Sequence, residues 1–162
     1  MQKQDREVYT NWANLNMKIT NKRAYHNFFI SEKVESGIRL SGSEVKSIKN
    51  GRLKLDFAFV KIIGGEAYLM NAEIPQYPFS KEKNYDPKRS RKLLLHKKEI
   101  LSLKIKMEQN RLTIVSTACY TKHGFVKLEL ALAKGKRERD RRDEIKKRDL
   151  KKQVERELRG KM

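Results

Sequence analysis

A small closed antiparallel β-barrel of about six strands, with two or three short helices and a basic tail, is what the sequence predicts. Three observations carry that prediction. Short apolar or alternating runs recur through the middle of the chain, separated by glycine-bearing turns. Such strands must close on themselves or stack to hide their edges. The third observation is charge: 162 residues carry a formal +19, from 39 lysines and arginines against 20 acids, a self-repulsion that a polyanion relieves. The fold that meets nucleic acid at this size is a barrel of the oligonucleotide/oligosaccharide-binding (OB) type. The strand pattern alone also fits a sandwich.

Composition divides the chain into a polar leader (residues 1–20), a mixed body (21–133) and a charge-dense tail (134–162). Only the body has the apolar content of a packed core, and the chain is about the size of one domain. Residues 1–16 lack the apolar centre of a secretory signal, and Met17 stands before a segment that reads as a natural start, so translation from Met1 and from Met17 both fit. No apolar run approaches the roughly 18–20 residues that span a bilayer. The expectation is a cytoplasmic protein with no membrane partner. Cys119, the single cysteine, sits in an alternating apolar run and reads as a small packed hydrophobe. No metal or other cofactor is expected.

In chain order, residues 28–34 and 38–40 read as two extended pieces with a bend or bulge at Gly37. Ser41 with Glu44 matches a capping box, and Asn50-Gly51 supplies a left-handed stop, which brackets a short helix over 43–49. Residues 57–63, Gly64-Gly65 and 66–70 form a hairpin signature, because paired glycines tolerate the positive φ of a primed turn. All three prolines (Pro75, Pro78, Pro87) fall in residues 75–91, which read as a long irregular surface loop. Residues 96–109 carry Ile100, Leu103 and Met107 at helical spacing, widened by Leu101 and Ile105, with Asn110 to close the helix. A second hairpin joins 112–121 to 125–133 around Lys122-His123-Gly124, and Val126, Leu128, Leu130 and Leu132 alternate on one face.

The tail cannot bury a core, since Ile145 is the one sizeable apolar side chain in residues 134–148. Acids precede bases by four residues at Glu138/Arg142, Asp143/Lys147, Glu144/Arg148 and Glu155/Arg159. Each pair favours helix by about 0.2–0.5 kcal/mol. That is too little to order a free helix of this length, so the expectation is a tail that is disordered alone and helical on a partner.

The motifs of common enzyme classes are missing: there is no phosphate loop, no paired C-x-x-C or H-E-x-x-H metal set, and no nucleophile elbow. The three histidines lie far apart in sequence. The chain reads as a binding protein and not an enzyme. Asn21, Lys22, Arg23, Tyr25 and His26 mix donors with flat rings, a combination suited to phosphates and unstacked bases. Lys88, Arg89, Arg91 and Lys92 abut the strand at residues 93–95 and would lie at a barrel rim, with Lys46 on the short helix as a further cation. If six such cations meet phosphates, the log–log salt slope of RNA affinity is about four to five.

Read together, these residues closely resemble the SmpB family of tmRNA-binding proteins. The resemblance is carried by N-K-R-A-Y-H-N-F-F-I (21–30), E-S-G-I-R-L-S-G-S-E-V-K-S-I-K-N-G (35–51), Y-D-P-K-R-S-R-K-L-L-L-H-K-K-E-I (85–100), V-K-L-E-L-A-L-A-K-G-K (126–136) and D-R-R-D-E-I-K-K-R-D (140–149). It implies an OB-like barrel gripping the tRNA-like domain of transfer-messenger RNA (tmRNA). The tail would enter the decoding centre and mRNA channel of a stalled ribosome, against 16S rRNA. Elongation factor Tu and alanyl-tRNA synthetase would be indirect partners through tmRNA. By position, the resemblance places Glu35, Leu94 and His96 in a cluster at the RNA-binding face, His96 standing where some members have asparagine. It places Gly135, Lys136, Arg139, Asp140, Arg141, Arg142, Ile145, Lys146, Lys147 and Arg148 in the ribosome-engaging tail. Arg139 occupies a position where an aromatic or histidine is common; a guanidinium also stacks on bases. The alternative is a generic RNA-binding OB module, or a ribosome-associated factor, without tmRNA specificity.

Overall fold

Paired left-handed residues make the two tight hairpins. Gly64 and Gly65 (φ 59° and 75°) join Phe59–Ile63 to Glu66–Met70, and His123 and Gly124 (51° and 79°) join Thr113–Lys122 to Phe125–Gly135. Positive φ at both central residues gives the turn a twist that matches the strands. The second loop is therefore two residues long, and Lys122 belongs to its strand.

The computed structural model describes residues 17–160. Their order is β1 (Lys18–Thr20), α1 (Lys22–Asn27), β2 (Phe28–Ile38), α2 (Gly42–Lys49), β3 (Phe59–Ile63), β4 (Glu66–Met70), β5 (Arg91–Leu94), α3 (Lys97–Asn110), β6 (Thr113–Lys122), β7 (Phe125–Gly135) and α4 (Glu138–Gly160). Each strand pairs antiparallel with its neighbour in the series β6, β3, β4, β5, β2, β7, and β7 pairs again with β6. These six strands form a closed hydrogen-bonded ring, which removes the edges that short strands would otherwise expose. β1 adds to the far end of β6, with Ile19 opposite Cys119. Lys18–Thr20 thus belongs to the barrel and not to a leader. Residues 1–16, with the question of the start site, lie outside the described residues.

β2 is one strand of 11 residues, not two. Its irregularity falls between Ile30 and Lys33, where the register against β7 shifts, and not at Gly37. An inserted residue bends a strand and increases its twist, which lets β2 follow the barrel wall. Gly37 has a different use: a Cβ there would come within 3.1 Å of Leu94 Cβ, so its absence lets β5 lie close.

The core lies inside the ring. Val60, Leu69, Leu93, Ile114, Leu128, Leu130 and Leu132 point inward from the strands, Ile48 from α2, and Ile100 and Leu103 from α3. Leu101 and Ile105 are exposed, so the apolar stripe of α3 is narrower than its periodicity suggests. α3 ends at Asn110, with Arg111 taking the left-handed cap at φ 50°. α2 has the expected capping box: the Glu44 amide donates to Ser41 Oγ, and the Ser41 amide donates to the Glu44 carboxylate at 2.8 Å. Cys119 is buried, and burial pushes its thiol up to about 12. It is a packed hydrophobe with no thiolate chemistry at neutral pH.

α1 has no counterpart in the sequence reading. Asn21 creates it: its Oδ1 accepts the Ala24 amide at 3.0 Å, as an N-cap does. The tail is helical as α4, 23 residues long with none buried. Of the four acid-first pairs, Glu138–Arg142 closes, and Glu144 turns instead to Lys136 at 2.6 Å.

Candidate nucleic-acid interface

The candidate RNA-binding side chains separate into those the fold consumes and those it leaves outside. Asn21 is consumed. It is 3% exposed, its Nδ2 donates to Leu55 O at 2.8 Å and to Ser116 O at 2.9 Å, and its oxygen caps α1. Every hydrogen-bonding group of that amide is spent on the barrel, so Asn21 is a structural tie and not an RNA contact.

Arg91 is consumed in the same way. It is fully buried; its Nε donates to Glu44 Oε1 at 2.9 Å, and its remaining nitrogens donate to the carbonyls of Ala72, Arg89 and Pro87 at 2.8–2.9 Å. The guanidinium therefore pins both ends of the irregular segment 71–90. Tyr85 and Ser47 reinforce it by donating to the carbonyls of Ile74 and Pro75, each at 2.7 Å. Arg89 spans both oxygens of the same carboxylate, with Nε 2.8 Å from Glu44 Oε1 and Nη2 bonded to Oε2. Burial pushes the Glu44 pKa up, but Arg89, the Ser41 amide and Arg91 together outweigh it and hold the pKa below its ordinary value. The expectation of rim arginines facing phosphates fails for Arg91, because a buried carboxylate on α2 must be paired. Lys92 stays at the surface, bonded to Glu66. It lines a groove with Arg39, Ser41, Tyr68 and Arg89. Lys46 is exposed, 5.4 Å above the Tyr77 ring.

The side chains left outside form two surfaces at opposite ends of β2. From Phe28 to Glu35 along the strand is roughly 23 Å of extended chain. At the Phe28 end, Lys22 and His26 on α1 face Arg141, Ile145 and Arg148 on α4 across a groove that Tyr25 also lines. Arg23 lies nearby on α1 with its guanidinium 4.1 Å from the Phe57 ring centre. Gly135 and Lys136, expected in a free tail, belong to the barrel. Gly135 pairs with Phe28, and the Lys136 amide donates to Asn27 O at 2.8 Å. The Lys136 side chain is 6% exposed, with Nζ bonded to Tyr25 O at 2.9 Å and to Glu144. α4 starts just beyond this anchor, where Asp140 accepts the Arg137 amide at 2.9 Å. Arg139, Arg142, Lys146 and Lys147 follow on exposed faces.

At the other end, Glu35 is exposed and held by two donors on β6. The Tyr120 hydroxyl bonds to its Oε2, and Lys122 Nζ lies 3.1 Å from the same oxygen. The Tyr120 bond, then Lys122, keeps the Glu35 pKa below the usual carboxylate range; burial and the same bond push Tyr120 up to about 12. Gly37, two residues along on the same face, sits opposite Leu94. Leu94 and Phe125 are exposed apolar side chains, 57% and 69% accessible, around a shallow pocket that Gly37 and Lys127 also line. His96 is exposed two residues past Leu94 and starts α3, its amide donating to Glu99 at 2.7 Å. Glu35, Leu94 and His96 thus share one end of the barrel. The sequence reading missed Tyr120, Lys122, Phe125 and Lys127 there. Lys122 and Phe125 flank the His123-Gly124 turn, a signal that could have flagged them.

Among the described residues no group of three or more His, Cys, Asp and Glu could hold a metal ion, and no helix is long and apolar enough to cross a membrane. These features define a class: a small basic β-barrel with an unburied helical extension, shaped to meet polyanions. The model of the SmpB protein family matches residues 18–160. An SsrA-binding protein from Persephonella marina is 49% identical over 88% of this chain and 94% of its own length. One from a Sulfurihydrogenibium species is 48% identical with the same coverage. A solved chain from a structural study of tmRNA–SmpB at the centre of the bacterial ribosome superposes with a TM-score of 0.63 at 40% identity, covering 79% of this chain and 94% of that one. The chain belongs to the SmpB family.

Proposed function

We propose that this protein binds the tRNA-like domain of tmRNA and, with it, rescues stalled ribosomes by trans-translation in the cytoplasm. It acts by binding and not by catalysis. The observation that carries the reading is a barrel already complete at Lys136, followed by a helix with no buried residue. A rigid body suits one RNA held by shape and phosphate contacts, and an uncommitted basic helix suits a second RNA environment. The Glu35, Leu94 and His96 end, with Arg39, Lys92, Lys122 and Lys127 near it, takes tmRNA. The Lys22 and His26 surface and α4 enter the vacant decoding centre and mRNA channel against 16S rRNA. Elongation factor Tu and alanyl-tRNA synthetase meet the protein only through tmRNA.

The test is a reconstituted translation reaction on a message without a stop codon, supplied with tmRNA. Addition of this protein should append the tmRNA-encoded peptide to the stalled chain. Absence of the tag with active tmRNA would contradict the proposal.

A further inference from the structure

The irregular segment between β4 and β5 contains Tyr77-Pro78-Phe79-Ser80. Proline presets φ for the second position of a tight turn, and the Ser80 amide closes that turn on Tyr77 O at 2.9 Å. Phe79 therefore stands at the tip, 80% exposed. Its ring meets Tyr77 edge to face, with centroids 5.6 Å apart at 61°. This is a preferred aromatic geometry; it fixes the plane of Phe79 and covers at most one of its faces. The base of the turn is tied down as well. Gln76 Nε2 donates to Glu82 O at 2.7 Å, and Ser43 Oγ on α2 donates to the Glu82 carboxylate at 3.1 Å. A scattered exposed apolar side chain needs no explanation. A flat ring held out by a braced turn is different, because little freedom is lost when a partner covers it.

The charges around the ring indicate its partner. Lys46, exposed on α2, holds its ammonium 5.4 Å above the Tyr77 ring, and Lys81 and Lys83 are exposed just past the turn. Glu82, the acid between them, is turned to Ser43. A flat apolar ring among ammonium groups fits a nucleic acid: phosphates meet the cations, and every base offers a π-face to the ring. Position selects the RNA. Val45, next to Lys46, lines the pocket of Leu94 and Phe125, so α2 continues the surface from the Glu35 end of the barrel to this turn, whereas α1 and α4 flank the other end. We propose that Phe79 stacks on an unpaired base of the bound tmRNA, with Lys46, Lys81 and Lys83 taking the flanking phosphates. This rests on the tmRNA-binding reading above.

The experiment measures binding of the full chain to labelled tmRNA under excess bulk tRNA, across a salt series. Phe79→Ala should weaken binding about 5- to 150-fold, the range for one base stacked on an aromatic ring. Its melting temperature and log–log salt slope should stay at wild type, because the ring is exposed and uncharged. Phe79→Trp should bind at least as tightly as wild type, and Phe79→Leu, apolar but not flat, should bind like Phe79→Ala. The Lys46→Ala, Lys81→Ala double variant should lower the slope by about 1.4–1.8, two phosphate contacts. In a Trp12→Phe, Phe79→Trp chain, whose one tryptophan then stands at the turn, tmRNA should quench the indole emission. Wild-type affinity in Phe79→Ala or Phe79→Leu overturns the stacking proposal and leaves the tmRNA reading standing. A lowered melting temperature for Phe79→Ala would make the ring a packing element, and a loss of affinity for ribosomes in place of tmRNA would assign it to the ribosome; either result overturns the proposal. Wild-type protein that fails to prefer tmRNA to bulk tRNA overturns the underlying reading, and the stacking proposal with it.

Discussion

Glu44 and Arg91 face each other inside the barrel wall, both fully buried, with Arg91 Nε 2.9 Å from Glu44 Oε1. The pair joins α2 to β5 and sets the course of the loop between β4 and β5. Removing Arg91 leaves the buried Glu44 carboxylate to Arg89 and takes their donor from the Ala72, Arg89 and Pro87 carbonyls. Arg91→Met should destabilise the protein by about 3–5 kcal/mol, read as a shift in the urea midpoint, and pairing it with Glu44→Gln should recover part of that loss.

The same carboxylate predicts a pH dependence. Its folded pKa lies below the unfolded value, so its stabilisation is fully present above the ordinary carboxylate range and is lost as pH falls through the folded pKa. Urea midpoints of wild type should drop on acidification below about pH 4.5, the unfolded value. Glu44→Gln should be less stable at neutral pH and show a flatter acid limb.

Asn21→Ala should cost about 2–4 kcal/mol, because it leaves the Leu55 and Ser116 carbonyls without their donor and removes the cap of α1. The tmRNA affinity should stay near wild type under native conditions. A reduced affinity with unchanged stability would make Asn21 an RNA contact after all.

Surface cations should behave differently. Lys127→Ala is expected to lower the salt slope by about 0.7–0.9, the share of one phosphate contact. Lys92→Ala should lower it less, since Glu66 already neutralises that ammonium. Salt titrations of the two variants side by side check the ranking.

The barrel was legible because its strands obey local rules: Gly64-Gly65 and Gly124 mark the turns, and the alternation from Val126 to Leu132 marks an inward face. The capping box at Ser41 was read from two residues alone. Failures came where a distant partner decides. Asn21 looks like a surface donor until Leu55 and Ser116 approach it, and Arg91 looks like a rim cation until Glu44 faces it from α2. The RNA-facing cluster was named through family resemblance, whereas Tyr120 and Lys122 reach Glu35 from 85 and 87 residues away, a separation no local pattern encodes. Gly135 and Lys136 read as tail because composition changes before the strand pairing ends.

That boundary alters how the tail is tested. Truncation after Ala133 would remove the Gly135–Phe28 pair and the Lys136 anchor and damage the barrel. Truncation after Arg137 should leave melting temperature and tmRNA affinity near wild type and abolish tagging of stalled peptides. Normal tagging by the truncated chain would show that α4 is dispensable.

The central claim is specific recognition of tmRNA, and the most direct measurement is binding of purified protein to labelled tmRNA with bulk tRNA as competitor across a salt series. Tight binding that survives excess tRNA, with a log–log slope of about four to five, is the predicted result. Binding that tRNA or any single strand erases would contradict it and reduce the protein to a generic basic RNA-binding barrel.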